Sequence, residues 1–348
     1  MKNTLYQQQK TRKPGNLMKL LTIAIPTYNR SKHLAACLEQ IVKQLPGHED
    51  DIDIFISDNC STDDTSAVIT QYSAKTKVIR SIRNDSNIGA DNNFIQCFEQ
   101  SDSTFFMLLG DDDVLLDDGL NYLMEIIHKE KCSSIFLRAA VFFNDYKTEI
   151  LQTDTSKTYT VYEDPQDFIK RVNIDATFIS SNIINKSQLA ENTDIRRFNE
   201  TNLVQLGWIL PSMINADRCV YVERAILAGK AFNSGGFRFF DTFVVNLNRI
   251  IDYYSRNGMQ AATYEFFMQK LLTDFYPHRI YTIRAKKESY EDQGESIFKV
   301  FHDIYRNNPL FWIFMVPAIF LPVGMVKIVN KHQKSVYKRY MKLVGLFK

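Results

Sequence analysis

The chain has 348 residues, 45% hydrophobic and 24% charged, enough for one large domain or two smaller ones with a sizeable core. A net charge of +2 excludes a polyelectrolyte binder, and no nucleic-acid partner is expected. The five cysteines, Cys37, Cys60, Cys97, Cys132 and Cys219, are scattered, odd in number and without zinc spacing, which fits reduced thiols in a cytosolic protein.

Residues 1–17 are polar with no apolar core, so they carry no secretory signal and read as a disordered leader. Lys19–Thr27, KLLTIAIPT, predicts a first buried strand. Asn29, Arg30 and Ser31 offer helix-capping residues, and Leu34, Leu38, Ile41 and Leu45 follow at helical spacing until Pro46–Gly47. Asp53–Ser57 predicts a second strand, running into the turn and cap residues Asp58–Thr65 and a helix from about Ser66. Lys77–Ile82 reads as a third strand. Arg83–Asn93 is a polar stretch holding Gly89, and an amphipathic helix follows through Phe94 and Phe98.

The next stretch, Phe105–Asp113, reads FFMLLGDDD. Its uniformly apolar run predicts a strand buried on both faces, and three carboxylates follow at its end. Strand, helix, strand, helix predicts a mostly parallel sheet with helices on both faces, an α/β fold whose ligand crevice lies beyond the carboxyl ends of the strands. Two separate strands deliver acids to that edge, Asp58 from one and Asp111, Asp112 and Asp113 from another. Helix capping alone accounts for one such acid more readily than for both groups.

Farther on, a helix is expected over Asp117–Lys129, a strand over Ser134–Phe143, a hairpin within Asp145–Glu163 and a strand over Phe178–Ile184. A helix carrying Trp208 is expected over Asn199–Asn215, and a strand over Cys219–Leu227. A turn at Asn233–Gly236 precedes helices at Phe239–Tyr254 and Tyr264–Arg284. Pro309–Val326 holds no charged residue, and no Asp or Glu follows Asp303, whereas Arg306, Lys327, Lys331, Lys334, Lys338, Arg339, Lys342 and Lys348 do. Three readings fit this tail: a monotopic or re-entrant membrane segment with a basic flank, a membrane span, or a buried helix pair. A span needs about 20 apolar residues, and Pro317, Pro322 and Gly324 interrupt this run.

The ordered motifs IAIPTYNR, ISDNCSTDDT, NIGADNN and LLGDDD together resemble glycosyltransferase family 2, the inverting enzymes of the GT-A fold, and within it the bacterial O-antigen abequosyltransferase-like members. The resemblance is close over about residues 19–130 and looser over 175–260. It implies domains at 18–228 (donor-binding and catalytic), 229–305 (a helical region on the acceptor side) and 306–348 (an apolar and basic membrane-associating tail). Pro26, Thr27 and Tyr28 would line the nucleotide base and ribose, with Arg30 beside them within reach of phosphate. Asp58 would contact base or ribose. Asn59 stands where many members have a second Asp. Asn87, Gly89 and Asn93 would form the loop closing over the nucleotide, and Asp111, Asp112 and Asp113 would be the D-x-D motif.

Elementary electrostatics agrees with a cation at these acids. A donor diphosphate is repelled by a bare carboxylate by about 4 kcal/mol per unit-charge pair at 4 Å and an effective dielectric of 20. A divalent ion reverses that sign, and hard oxygen ligands suit Mg²⁺ or Mn²⁺. Asp113 is the best expected metal ligand, with Asp111 at the ribose or a metal-bound water. Inversion also needs a general base, for which Glu200 and Asp241 compete. The implied partners are a nucleotide-sugar donor, a lipid-linked saccharide acceptor and the inner membrane surface. The implied location is cytoplasmic, peripheral or monotopic on the inner face of the bacterial plasma membrane. A non-catalytic nucleotide-sugar-binding scaffold and a nucleotidyltransferase are the alternatives. The lack of a glycine between Pro26 and Ser31 counts against the second.

Overall fold

The apolar run at Lys19–Thr27 forms β1 (Leu21–Thr27), with every residue buried. The structure is a computed structural model, describing residues 18–150, 154, 156–231, 236–285 and 296–343. The leader expected at 1–17 and most of the turn expected at 233–236 lie outside the described residues.

The first half of the chain follows the expected alternation. After β1 come α1 (Ser31–Gln44), β2 (Ile52–Asp58), α2 (Thr65–Ser73), β3 (Ile79–Arg83), α3 (Ala90–Glu99) and β4 (Phe105–Leu108). Strands β3, β2, β1 and β4 lie side by side and parallel. Successive side chains on a strand point to opposite faces. Ile23 and Ile25 therefore join one core with α1, α2 and the later helix α4 (Gly119–Lys129), whereas Ala24 and Phe106 join a second core with α3 and the later helices. Burial on both faces explains why β1 and β4 are apolar runs rather than alternating patterns, whereas β3, at the sheet edge, reads IRSIR and is mostly exposed.

The second half adds β5 (Val114–Leu115), β6 (Ser134–Phe142), the helical turn α5 (Tyr146–Glu149), β7 (Tyr159–Tyr162), α6 (Pro165–Val172), β8 (Asn182–Asn185), α7 (Leu206–Ile214) and β9 (Cys219–Lys230). The sheet continues from β4 through β8, β6 and β9 to β5, with β7 pairing the first part of β9. Strand β8 runs antiparallel to both β4 and β6, while β6 and β9 are parallel.

Several expectations change here. No local hairpin forms among the described residues of 145–163: β7 pairs with β9, about sixty residues later. The strand expected at Phe178–Ile184 starts only at Asn182, because Ile179–Ser181 coil into a 3₁₀ turn. Residues 199–205 are turns rather than the first part of the Trp208 helix, and Glu200 and Asn202 have φ of 65° and 58°. These left-handed values are incompatible with a continuous helix. Trp208 is buried, with its ring 5.0 Å from Phe98 and 6.4 Å from Phe106. Each such aromatic pair adds about 0.5–1.5 kcal/mol beyond area burial.

The C-terminal helices are α8 (Leu247–Ser255), α9 (Ala261–Lys270), α10 (Tyr276–Arg284), α11 (Ile297–Tyr305), α12 (Val316–Phe320) and α13 (Val323–Leu343). Widened π turns precede α8, α10 and α12, at Phe240–Asn246, Leu271–Phe275 and Phe311–Met315. Pro277 and Pro317 account for the last two. A proline ring clashes with the carbonyl four residues earlier, Thr273 or Ile313, and each of these lies in the widened turn. The charge-free run at 309–326 is thus divided among a π turn, α12 and the start of α13. Phe311, Phe314, Met315, Ala318 and Val326 are buried in the protein. Among the described residues, no helix is long and apolar enough to cross a membrane.

Candidate functional site

The carboxyl ends of β1, β2 and β4 meet at one edge of the sheet. The β1/β2 register pairs Thr27 with Asp58. On the other side of β1, Thr27 Oγ1 donates to Asp111 Oδ2 at 2.7 Å. Asp58 and Asp111 therefore flank Thr27, and the acids from two distant segments share one edge. Arg30, at the start of α1, places Nη1 3.2 Å from Asp111 Oδ1 and 3.4 Å from Asp112 Oδ2. Across the edge, Arg83 Nε lies 3.5 Å from Asp58 Oδ2, and Asp58 Oδ1 accepts from Ser61 N. Pro26 is buried in β1, while Tyr28 is exposed just beyond it.

Asn59 occupies its position as an amide. Its Nδ2 donates to Asn87 Oδ1 at 2.8 Å and Gly89 O at 3.4 Å. Its Oδ1 accepts from Ile88 N at 2.9 Å and Asn84 Nδ2 at 3.1 Å. Both ends of the amide are satisfied, which an aspartate could not achieve because it has no donor. Asn93 Oδ1 accepts from Ser57 Oγ, and Asn93 Nδ2 returns to Ser57 O. The 84–93 segment is thereby stitched to the end of β2. Gly89, at φ 84°, makes the left-handed entry into α3 that an L side chain resists.

The three consecutive aspartates divide between two places. Asp111 and Asp112 face Arg30. Asp113 turns into the wall: Ser180 Oγ donates to its Oδ2, and Lys230 N donates to its Oδ1 at 3.0 Å. Ser180 Oγ also accepts from Gly110 N at 2.8 Å. Gly110 leaves room for this carboxylate, since a Cβ there would sit 2.9 Å from Asp113 Oδ2 and force it to shift. Burial, reinforced by Asp112, pushes the Asp113 carboxyl up to about 8. Burial also raises Asp111 to about 6, against the lowering effect of Arg30.

A divalent cation suits this chemistry. The donors are hard oxygens, and their raised proton affinity reflects crowded, desolvated carboxylates that a cation would relieve. No group of three or more acids, histidines or cysteines that could hold a metal by itself occurs among the described residues. One or two protein carboxylates supplemented by substrate phosphate oxygens is a common magnesium-site arrangement. Each Asp113 oxygen uses one lone pair on Ser180 or Lys230 and keeps another, so these donors orient the carboxylate without exhausting it.

The two candidate bases lie on the helical side. Glu200 is exposed in the 199–202 turn. That turn is held by Asp91, in the first turn of α3, whose Oδ2 accepts from Thr201 N at 2.9 Å and Asn202 N at 3.0 Å. Burial raises the Asp91 carboxyl despite these bonds. Asn246 Nδ2 also donates to Thr201 O, joining the turn to the π segment before α8. Asp241 lies in that segment, half-exposed and paired with Arg238 at 2.9 Å.

Sequence reasoning missed Ser180, the Lys230 N–H, Asp91 and His33. It placed Ser180 within a strand and gave Asp91 no role. His33 sits on α1 near Asp112, Lys230 and Arg30, its pKa lowered chiefly by burial. The serine pair at 180–181, breaking an apolar run, was the available signal for the turn.

Residues 22–186 match the profile of glycosyl transferase family 2. The abequosyltransferase RfbV of Salmonella typhimurium is 34% identical over 112 residues, 32% of this chain and 33% of that protein. The GalNAc(5)-diNAcBac-PP-undecaprenol beta-1,3-glucosyltransferase of Campylobacter jejuni is 30% identical over 110 residues, 31% of this chain and 34% of that protein. The matched stretch spans about a third of the length of each of these two relatives. The crystal structure of S. aureus TarS 1-349 in complex with UDP-GlcNAc superposes with a TM-score of 0.60 at 13% identity, covering 93% of this chain and 92% of that one. The mannosyltransferase PcManGT from Pyrobaculum calidifontis, in complex with GDP-Man and Mn²⁺, gives 0.52 at 10% identity, covering 93% and 87%. At these identities the likeness establishes the fold, which is GT-A.

Proposed function

We propose, from the match of residues 22–186 to glycosyl transferase family 2, that the chain moves a sugar, with inversion, from a nucleotide-sugar donor to a lipid-linked saccharide. The setting is bacterial O-antigen or related polysaccharide synthesis at the inner face of the plasma membrane. The observation that carries this reading is the pair of acids flanking Thr27, Asp58 from β2 and Asp111 from the loop after β4, at the carboxyl edge where α/β sheets bind ligands. The name of one relative, an abequosyltransferase, supports sugar transfer, and that of the other, which includes PP-undecaprenol, supports the class of acceptor.

In this reading Pro26, Thr27, Tyr28 and Asp58 take the base and ribose. Asn87 and Gly89, held by Asn59, and Asn93, held by Ser57, close the nucleotide side. Arg30 sits between Asp111 and Asp112 and meets the donor phosphates. Mg²⁺ or Mn²⁺ would be held by Asp113 and Asp111, with Ser180 and Lys230 N–H fixing the Asp113 carboxylate. When bound, such an ion stabilises charge on the departing nucleoside diphosphate. Glu200 or Asp241 takes the proton from the acceptor hydroxyl, on the face opposite the leaving group. Asp111→Ala and Asp113→Ala should abolish transfer, and EDTA should do so reversibly. Full transfer in the presence of EDTA would refute the metal role. A panel of nucleotide sugars, each tested with Mg²⁺ for thermal stabilisation, identifies the donor, because a ligand that binds only the native state raises its stability.

A further inference from the structure

The charge-free run does not bury all of its apolar side chains. Trp312 is 48% exposed, Phe320 63%, Met325 50% and Ile328 72%. Three observations place these together. Phe298 of α11 packs against both Trp312 and Phe320, with ring centroids 6.5 and 5.4 Å away. Phe320 closes α12, and Pro322 begins the turn into α13, where Met325 N donates to Pro322 O. Met325 and Ile328 are three residues apart on α13 and so share a face. The opposite face of α13 is held against the protein by Val326, by Gln333 donating to Ile313 O and by Tyr337 against Phe314.

The same segment carries exposed cations. Arg306 is exposed, and its carbonyl accepts from Trp312 Nε1. Lys327, Lys331, Lys338 and Arg339 are exposed along α13. Lys327 also lies over the Tyr281 ring, and Lys334 is paired with Asp274. Asp303 on α11 is the last acid in the chain. An apolar tip with an amphipathic tryptophan, continuing into a basic helix without acids, matches the interface of an anionic bilayer in both polarity and charge.

We infer that Trp312, Phe320, Met325 and Ile328 form a monotopic membrane-docking face that inserts at the headgroup–acyl boundary, while the basic residues of α13 lie against anionic headgroups. The face adds a surface to the membrane setting proposed above and rests on that reading for its purpose, but binding is measured without donor, acceptor or turnover. The full chain should float with vesicles containing roughly 30% phosphatidylglycerol in phosphatidylcholine and far less with phosphatidylcholine alone. Brominated lipid should quench Trp312, while Trp208, 1% exposed, stays shielded. Phe320→Glu with Ile328→Glu should abolish flotation, and Lys331→Glu with Arg339→Glu should weaken it at least about tenfold. Val141→Glu, at an apolar position 61% exposed on β6, should leave it unchanged. Circular dichroism of each variant separates lost docking from lost fold. Three results overturn the inference: no flotation with either vesicle, flotation unaffected by Phe320→Glu with Ile328→Glu, or lipid-free self-association abolished by that same pair.

Discussion

Ser180→Ala removes one hydroxyl that holds both the backbone and the carboxylate of the proposed metal site. Ser180 is fully buried, accepts from Gly110 N at 2.8 Å and donates to Asp113. Truncation leaves the Gly110 N–H without its partner inside the protein, which costs about 1–3 kcal/mol, and removes a hydrogen bond to a carboxyl group worth about 1–1.5 kcal/mol. The expected loss is about 2–4 kcal/mol in chemical denaturation. The adjacent serine supplies the control. Ser181 is equally buried, and its Oγ has no hydrogen-bond partner among the described residues, so Ser181→Ala should stay within about 1 kcal/mol of the parent. Ser180→Ala should also weaken the Mn²⁺ dependence of donor binding roughly ten- to hundredfold, the usual cost of losing a group that orients a metal ligand. Titration calorimetry of donor with and without Mn²⁺ measures this. Equal stability of the two alanine variants, together with unchanged Mn²⁺ dependence, would refute the role given to Ser180.

Three further outcomes follow from the same edge of the sheet. Asp63 caps two helices at once, accepting from Ser31 N of α1 and from Thr65 N and Oγ1 of α2. Burial, the largest single influence, raises its pKa, but these bonds together outweigh it and bring the carboxyl down to about 2. A depressed acid stabilises the fold above its unfolded value near 4 and loses that contribution as pH falls toward 2. Asp63→Ala should therefore cost about 1 kcal/mol at pH 7, since the group is exposed and screened, and the gap to the parent should close by pH 2 in urea titrations. Asn59→Asp replaces a donor facing Asn87 Oδ1 and Gly89 O with an acceptor. It should cost about 1–3 kcal/mol and weaken donor binding, and an unchanged donor Kd would count against the stitched loop. Asp91→Ala leaves Thr201 N and Asn202 N without their acceptor. It should destabilise the fold by about 2 kcal/mol and lower kcat for transfer while donor Kd holds; a matching loss of donor affinity would mean that Asp91 does not act through the Glu200 turn.

The alternation of strands and helices over the first hundred residues was legible from residue order alone. Buried parallel strands need continuous apolar runs, and the turns between them need Gly, Asn and Asp, so hydrophobic pattern and turn chemistry coincide locally. Acids directly after two such runs had to reach the carboxyl edge of the sheet, because strand direction dictates where each strand ends. Around Asp113 the same reasoning fails. Its partners Ser180 and Lys230 lie 67 and 117 residues away in the chain, and the Lys230 contact is a backbone N–H, which no side-chain pattern encodes. The pairing of β7 with β9 and the capping of α1 by Asp63 were likewise settled only by packing. At 309–326, too, composition alone could not separate a buried helix pair from a membrane segment. Placement on the helical layer decides which of its side chains enter the core, as Phe311 and Phe314 do, and which face outward, as Phe320 does.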